Sequence, residues 1–558
     1  MDARRAIILL GIAVVSYMLV LQWNEDYGQR PINQAEPVTR LTPAPSNGLS
    51  DVPSSIETSA AVQNSDAPVV ATDDEIPSAA TGIVTDLVRV KTDVLDIRID
   101  PMGGDIVYAA LTAFPLSLDN KDIPFVLLEQ SSMRTYVAQS GLVGKNGVDK
   151  SGRAQYTVSQ ASFELEEGQD ELIVPLTLVQ NGVTITKEFK FKRSDYLIDL
   201  GYKVNNQSAE PWQANFYAQF KRDRSVDPSS MEAMGMASYL GAAITLPDER
   251  YKKIDFDDMD DAPFKQSVNG GWVAFLQHYF LGAWVPAENA AHTYNMRKAT
   301  GNYLTGYYDS ALVVAPGTQG ETFTSLYLGP KDQDRLAEIS ENLDLTIDYG
   351  WLWWVAQPLF WLLQMMFAIA GNWGWAIVLL TILVKLAFFP LSAASYRSMA
   401  NMRRVAPKLT SLREQYGDDR QKLSQEMMAL YKKEKINPLG GCLPILVQMP
   451  VFIALYWVLM ESVELRQAPF MLWLEDLSLK DPYFILPLIM GASMFIQMQL
   501  NPTPPDPMQA RVMKLMPVIF TVFFLFFPAG LVLYWVVNNI LSIAQQYYIT
   551  KKIENEAK

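Results

Sequence analysis

Trp373-Gly-Trp-Ala-Ile-Val-Leu-Leu-Thr381-Ile-Leu-Val-Lys385-Leu-Ala-Phe-Phe-Pro390-Leu391 is an apolar stretch with a single charge. A helix of this length crosses a bilayer core of about 30 Å, so the stretch predicts a transmembrane span. Working outward, further spans are predicted near Gly441–Met460, Tyr483–Leu500, Leu515–Phe527 and Leu531–Ile549. Residues 392–440 carry ten Lys and Arg, while the loop 462–482 carries only Arg466 and Lys480. Cationic loops stay on the cytoplasmic side, which places 392–440, 501–514 and the tail 550–558 inside.

Upstream, Arg4 and Arg5 precede the uncharged run Ala6–Gln22. Two readings fit it, an uncleaved anchor over 1–23 or a cleaved signal peptide. The anchor is the expectation, because no small-x-small site follows directly. With it the chain has six spans and both termini cytoplasmic. Residues 24–80 are rich in Pro, Ala, Ser and acidic residues and are expected to form a disordered linker. Residues 351–370 hold four Trp and Pro358. Trp prefers the headgroup zone, so 341–371 reads as an interfacial amphipathic helix, with a span as the open alternative.

Between these lies a different material. Residues 25–349 carry 26 Lys+Arg against 46 Asp+Glu, whereas 350–558 carry 18 against 13. In Val183-Thr-Ile185-Thr-Lys-Glu-Phe189-Lys-Phe191, and again at Ile198, Leu200, Tyr202 and Val204, apolar residues recur at every second place. That period, punctuated by Asn181-Gly182 and Asn269-Gly270-Gly271, predicts a large antiparallel β-sandwich over 81–340. Lying outside the membrane, it is periplasmic in a bacterium. So acidic a domain is a poor nucleic-acid binder.

Catalytic chemistry has little to build on. One Cys, Cys442, excludes an intrachain disulfide and cysteine metal sites. His278 and His292 read as ordinary strand or loop residues, and Asp255–Asp261 as a solvated acidic loop. No glycine-rich phosphate loop is present, and no cofactor is expected. Within 392–440, Met402, Val405, Leu409, Leu412 and Tyr416 step by three and four, as do Leu423, Met427 and Leu430. These seams predict a cytoplasmic helical hairpin with basic outer faces, Arg397, Arg403, Arg404 and Lys408 among them.

Lys385 is the most informative residue. A cation at membrane depth costs about 2.5–3.5 kcal/mol on insertion scales, and no predicted span interior holds an Asp or Glu. Two readings stay open. Thr381, Gln448, Ser493, Gln497, Thr521, Tyr534, Trp535, Asn538, Asn539 and Ser542 converge to line a hydrated cavity around it. Alternatively the amine snorkels to the inner surface and the polar residues only glue helices together.

The second half resembles the YidC membrane protein insertase family. The resemblance rests on Gly371-Asn-Trp-Gly374, on Gln425–Pro450, on Ser462–Phe470 and on Met516–Phe524. The acidic β domain resembles the Gram-negative form. The resemblance implies an insertase, not an enzyme, with a hydrophilic groove in the inner leaflet. Its central cation falls on Lys385, where the family usually has Arg; Thr381, Gln448, Tyr534 and Trp535 match other groove positions, with Tyr often standing where Trp535 does. It further implies that clients leave along the third and fifth spans, here Leu443, Pro444, Met449, Pro450, Phe520 and Phe524. The expected partners are nascent membrane proteins, the Sec translocon with its accessory subunits, ribosome–nascent chain complexes held weakly by the hairpin, and phospholipid. The expected location is the bacterial inner membrane. Rival readings are a small-solute or ion transporter using Lys385, disfavoured by the lack of inverted repeats, and a periplasmic sugar-acting enzyme, for which no acid/base pair stands out.

Overall fold

The period-two segments form strands whose inward faces are buried. Along Val183–Lys192 buried and half-buried residues alternate without a break. The computed structural model describes residues 87–150, 152–229, 238–416, 419–434, 443–500 and 507–556. The expected anchor, linker, Cys442 and the turn at Gly417-Asp418 lie outside these. The chain divides into two units that meet in sequence between Thr346 and Ile347.

The first unit has two sheets. The ten-stranded sheet runs, in spatial order, Phe264–Asn269, Ala291–Ala299, Asn302–Val314, Trp212–Arg222, Thr135–Val143, Pro124–Gln130, Asp105–Pro115, Leu95–Asp100, Val88–Lys91 and Ser162–Glu164. The eight-stranded sheet runs Lys252–Ile254, Gly241–Ile244, Val273–Leu276, Phe280–Pro286, Thr318–Pro330, Leu197–Asn206, Val183–Lys192 and Glu171–Gln180. Aromatic rings join the sheets: Phe125 stacks on Phe280 at 4.2 Å, and Phe220 meets Trp284 at 5.8 Å. Burying each such ring contributes about 1.5–3 kcal/mol, which makes this seam the core. Pairing is antiparallel except between Val88–Lys91 and Ser162–Glu164, which run parallel.

Two features depart from the sequence reading. Phe256–Asp261 is a short helix rather than a loop, capped by the Asp255 side chain. Its Asp257 and Asp260 pair with Arg224, both at 2.6 Å, so part of the acidic charge is neutralised locally. The alternation also conceals Lys187. It occupies an inward-facing place between Ile185 and Phe189 and is fully buried. Its amine donates to the carbonyls of Gly103 (3.0 Å) and Ser140 (3.3 Å), and burial pulls its pKa down to about 7. Both histidines are packed residues, His278 stacked on Tyr279 and His292 between Tyr294 and Tyr307. Among the described residues no cluster of three potential metal ligands occurs.

The second unit is helical: α1 (Trp353–Ala370), α2 (Trp373–Ala387), α3 (Phe389–Tyr416), α4 (Arg420–Lys433), α5 (Leu443–Glu461), α6 (Ile485–Leu500), α7 (Pro507–Phe524) and α8 (Ala529–Glu556). Two short 3₁₀ turns precede α1, so the expected helix over 341–371 begins only at Trp353. The segment buries Ala356, Leu359, Phe360 and Leu363 on one side and exposes Trp351, Trp353, Trp354 and Trp361. Among the described residues, Gly350–Ala370 is the one helix that is long and apolar enough to cross a membrane unaided; α2 and the first part of α3 form a second such length, bent by 67°. The bend sits at Phe388, just before Pro390, whose missing N–H and ring interrupt the ladder. The sequence-based span Trp373–Leu391 therefore loses its last residues to α3. Among the described residues, Gln448–Glu461 and Ile485–Leu500 are shorter apolar helices.

α3 and α4 pack through Val405, Leu409 and Tyr431, with Met402, Met427 and Leu430 against them. The segment after α5 is tied to three helices. Asn372 caps α2 and donates to the Pro469 carbonyl at 2.9 Å; Asp481 accepts from Leu486 N at the start of α6 (2.7 Å); Gly530 N of α8 donates to Leu477 O at 2.9 Å. Gly374 leaves room for Phe470, whose ring occupies the space a Cβ would take.

Gly374→Val forces Phe470 off α2 and loosens the segment that carries it. Ala468 is buried in that segment. Thiol labelling of an Ala468→Cys reporter should therefore rise, while thermal stability falls by about 1–3 kcal/mol, as overpacking does. In the β domain, burial raises the Asp309 carboxyl to about 7, and its Oδ1 has no partner among the described residues. The folded state then holds a proton that the unfolded chain releases near pH 4, so this group's contribution to stability falls as pH rises from about 4 to 7. Asp309→Asn should raise the β domain's melting temperature clearly at pH 8 and little at pH 4; an equal gain at both pH values would contradict the assignment.

Candidate functional site

Lys385 lies in the last turn of α2, where helix carbonyls favour a cation. Its side chain turns inward. The ammonium donates to Ser542 Oγ of α8 at 2.7 Å and to Gln448 Oε1 of α5 at 3.5 Å. Gln448 uses its amide nitrogen on Tyr534 OH (3.3 Å) and, in a short contact, on Asn538 Oδ1. Ser542 donates to the Asn538 carbonyl one turn back at 2.7 Å. Three helices thus place five polar side chains in one chain of hydrogen bonds. Among the described residues no carboxylate pairs with Lys385. Its charge is held by neutral dipoles, and hydrogen bonds to an ion are worth about 1.5–3 kcal/mol each.

The network is compact rather than wide. Beside Lys385, Gln448 and Ser392, walled by Val384, Leu391 and Val451, lies a cavity of about 10 Å³, room for roughly one water. Of the expected lining residues, Gln448, Tyr534, Asn538 and Ser542 converge on the amine. Thr381 does not; it is buried and donates to its own helix at Ile377 O, 2.7 Å away. Trp535 also turns elsewhere, its ring packed on Phe452 (4.6 Å) and Phe524 (5.5 Å) and its buried indole N–H without a partner among the described residues. Ser493 is engaged by Asn539 at 3.0 Å, a separate polar pair between α6 and α8.

The expected exit surface divides. Phe524 is buried and Phe520 and Pro450 are half-buried, while Met449 is exposed. The exposed face of α7 is formed instead by Val518, Ile519, Val522 and Phe523. The side chains of Leu443 and Pro444 lie outside the described residues, as does that of Arg403. Arg397 and Arg404 are exposed, and Lys408 pairs with Glu434 at 2.6 Å, which holds that carboxyl below its usual range. Sequence reading missed Phe452, which touches Phe524, Tyr534 and Trp535 and forms an aromatic floor beside the polar chain. Its position one turn beyond Gln448 on α5 was the available signal.

Residues 87–362 match the YidC periplasmic domain family, and residues 365–556 match the 60Kd inner membrane protein family. The chain is 57% identical to the membrane protein insertase YidC of Azotobacter vinelandii, over all of both chains. It is 56% identical to that of Ectopseudomonas mendocina, over 100% of this chain and 99% of the relative. A solved structure of an active YidC insertase with its first transmembrane domain resolved aligns over 83% of this chain and 92% of its own, at 18% identity and a TM-score of 0.39.

If Gln448 and Asn538 act as one unit, Gln448→Ala and Asn538→Ala should not add. A double-mutant cycle on thermal unfolding in detergent should return a coupling of about 0.5–3 kcal/mol, and strict additivity would show the bond carries no weight.

Proposed function

The chain belongs to the YidC family of membrane protein insertases, and from that premise we propose that it inserts nascent inner-membrane proteins through the polar chain centred on Lys385. The observation that carries the reading is the Lys385 ammonium bonded to Ser542 and Gln448 of two neighbouring helices. In the resting state these dipoles saturate one another. A client's short polar flank, entering from the cytoplasm, exchanges with them: an acidic flank takes the ammonium from Ser542, and a neutral flank takes the Gln448 amide from Asn538. Such exchange opens a hydrophilic groove with no covalent step. Lys serves here as a compact point charge, a role that does not need a bidentate fork.

The client's apolar segment then leaves along Met449, Pro450 and the exposed face of α7 into lipid. Each Leu-like residue gains a few tenths of a kcal/mol there, so about twenty supply the drive, while every charge carried across costs kilocalories. The aromatic floor of Phe452, Phe524 and Trp535 blocks the polar chain from continuing outward. The architecture that accompanies this reading has six spans with both termini cytoplasmic, an interfacial segment around α1, and α3–α4 as a cytoplasmic hairpin. Exposed Arg397 and Arg404, with Lys408, offer it a cationic surface for ribosome–nascent chain complexes. Work beside the Sec translocon fits the same layout, with the β domain in the periplasm.

In cells depleted of the native insertase, protease protection of a two-span client with an acidic flank tests the mechanism. Lys385→Arg should retain insertion, and Lys385→Glu should reduce it roughly tenfold, as loss of about 1.4 kcal/mol of attraction implies. Unchanged insertion with both Lys385→Ala and Lys385→Glu would remove the ammonium from the mechanism.

A further inference from the structure

The segment joining α5 to α6 is predicted from its charges to be a loop outside the membrane, yet its tip is apolar. Met471, Leu472, Tyr483 and Phe484 are exposed, Leu472 by 82%. The root beneath them is fixed. Leu474 and Leu477 are buried, and the carbonyls of Leu477 and Leu479 accept from Gly530 N (2.9 Å) and Ala529 N (2.7 Å) of α8.

Two of the exposed residues have a backbone that suits glycine. Leu472 has a φ of 56° and Phe484 a φ of 57°. A Cβ is crowded there, so Gly, Asn or Asp normally fills such a place. Leu472 sits in a tight turn, with Leu474 N donating to Met471 O at 3.1 Å and Phe470 N to Leu474 O at 2.9 Å. A turn facing water gives this position to a polar or glycine residue. Here the strained position carries a leucine and thrusts it outward. Asp481, itself buried, fixes the display. Its carboxylate accepts from the Trp473 indole N–H at 3.0 Å, from Tyr483 N at 3.0 Å and from Leu486 N at 2.7 Å. One carboxylate thus ties the tip to the first turn of α6.

α6 indicates what covers this surface. Its 16 residues rise about 24 Å, short of a bilayer core of about 30 Å. Leu488 and Ile489 are exposed on it, and Leu488 N donates to Phe484 O at 3.3 Å, one turn back. The apolar face therefore continues beyond the helix through Phe484 and Tyr483 toward the tip. A span shorter than the bilayer must draw in flanking residues or thin the lipid.

We propose that Met471–Trp473, Tyr483 and Phe484 form a wedge buried in the acyl chains of the outer leaflet, completing the apolar length of α6. The occupant is phospholipid, because the surface is continuous with the lipid-facing side of a membrane helix. Aromatic residues such as Trp473 and Tyr483 suit the boundary between headgroups and chains. Glu475 and Lys480, both exposed, mark the wet side of the same segment. The proposal rests on the six-span reading, which places this segment outside.

The test puts a nitrobenzoxadiazole fluorophore on Leu472→Cys, or as control on Glu475→Cys, in the full chain carrying Cys442→Ser. The vesicles are phosphatidylethanolamine and phosphatidylglycerol, doped with a lipid bearing a nitroxide near the headgroup end of an acyl chain. Iodide is the aqueous quencher. The lipid nitroxide should quench the probe at 472 several-fold more than iodide does, and the order should reverse at 475. Leu472→Asn eases the turn's backbone and removes the apolar tip, and it should lower lipid quenching of a probe on Tyr483→Cys. Iodide quenching at 472 equal to that at 475, unchanged quenching at 483 with Leu472→Asn, or a probe at 472 shielded from both quenchers and so covered by protein would each overturn the proposal. In spheroplasts an impermeant maleimide should label Glu475→Cys from outside. Labelling only after the membrane is broken sinks the six-span reading, whereas outside labelling with a wet probe at 472 sinks the wedge alone.

Discussion

One ammonium, held without a partner carboxylate among the described residues by a serine hydroxyl and a glutamine amide, constrains the helical unit. A bare cation in an apolar bundle is expensive. Its cost is reduced only if α2, α5 and α8 stay close enough for Ser542 and Gln448 to reach it. Each of these partners is itself fixed, Ser542 by the Asn538 carbonyl and Gln448 by Tyr534 and Asn538. Neutral dipoles are a weaker hold than a carboxylate, and in the proposed mechanism that weakness is what a client uses. A buried salt bridge would resist exchange with a client, whereas a chain of hydroxyl and amide bonds can trade partners one at a time.

The surroundings of this chain are asymmetric. On one side Phe452, Phe524 and Trp535 close it with aromatic surface that offers no acceptor to a charge. The segment 462–484 reinforces the bundle by accepting N–H groups at the starts of α6 and α8, helix ends that would otherwise leave them unpaired, and by accepting from the side chain of Asn372, which caps α2. On the other side α2 breaks at Phe388 and the chain bends into α3, leaving only a small cavity beside the amine. The polar chain is therefore closed by aromatic rings at one end and borders a cavity of about one water at the other.

The β domain obeys a different constraint. Its two sheets are joined by aromatic contacts, and Lys187 sits in the apolar register rather than outside it. That lysine shows why period-two alternation can be correct and still conceal chemistry: the face is right, but the residue on it is a cation satisfied by two carbonyls. A sheet interior tolerates this where turns such as Met102-Gly103-Gly104 bring carbonyls to the right depth.

Alternating and helical periodicities, the asymmetry of Lys and Arg between loops, and the isolation of Lys385 are local properties of the chain. They sufficed to separate a β-sandwich from a bundle of apolar helices and to place Lys385, Gln448, Asn538 and Ser542 among the residues of one possible polar cluster, with snorkelling as the open alternative. Which way each side chain turns is not local. Thr381 shares a helical face with Lys385 yet bonds to its own backbone, Trp535 faces aromatic rings, and Phe524 lies inside rather than on the outer face of α7. Residues far apart in sequence compete for the same space and the same hydrogen bonds. The bend at Phe388 and the size of the cavity arise only once the helices have packed, because each is a property of the gap between elements rather than of any one of them.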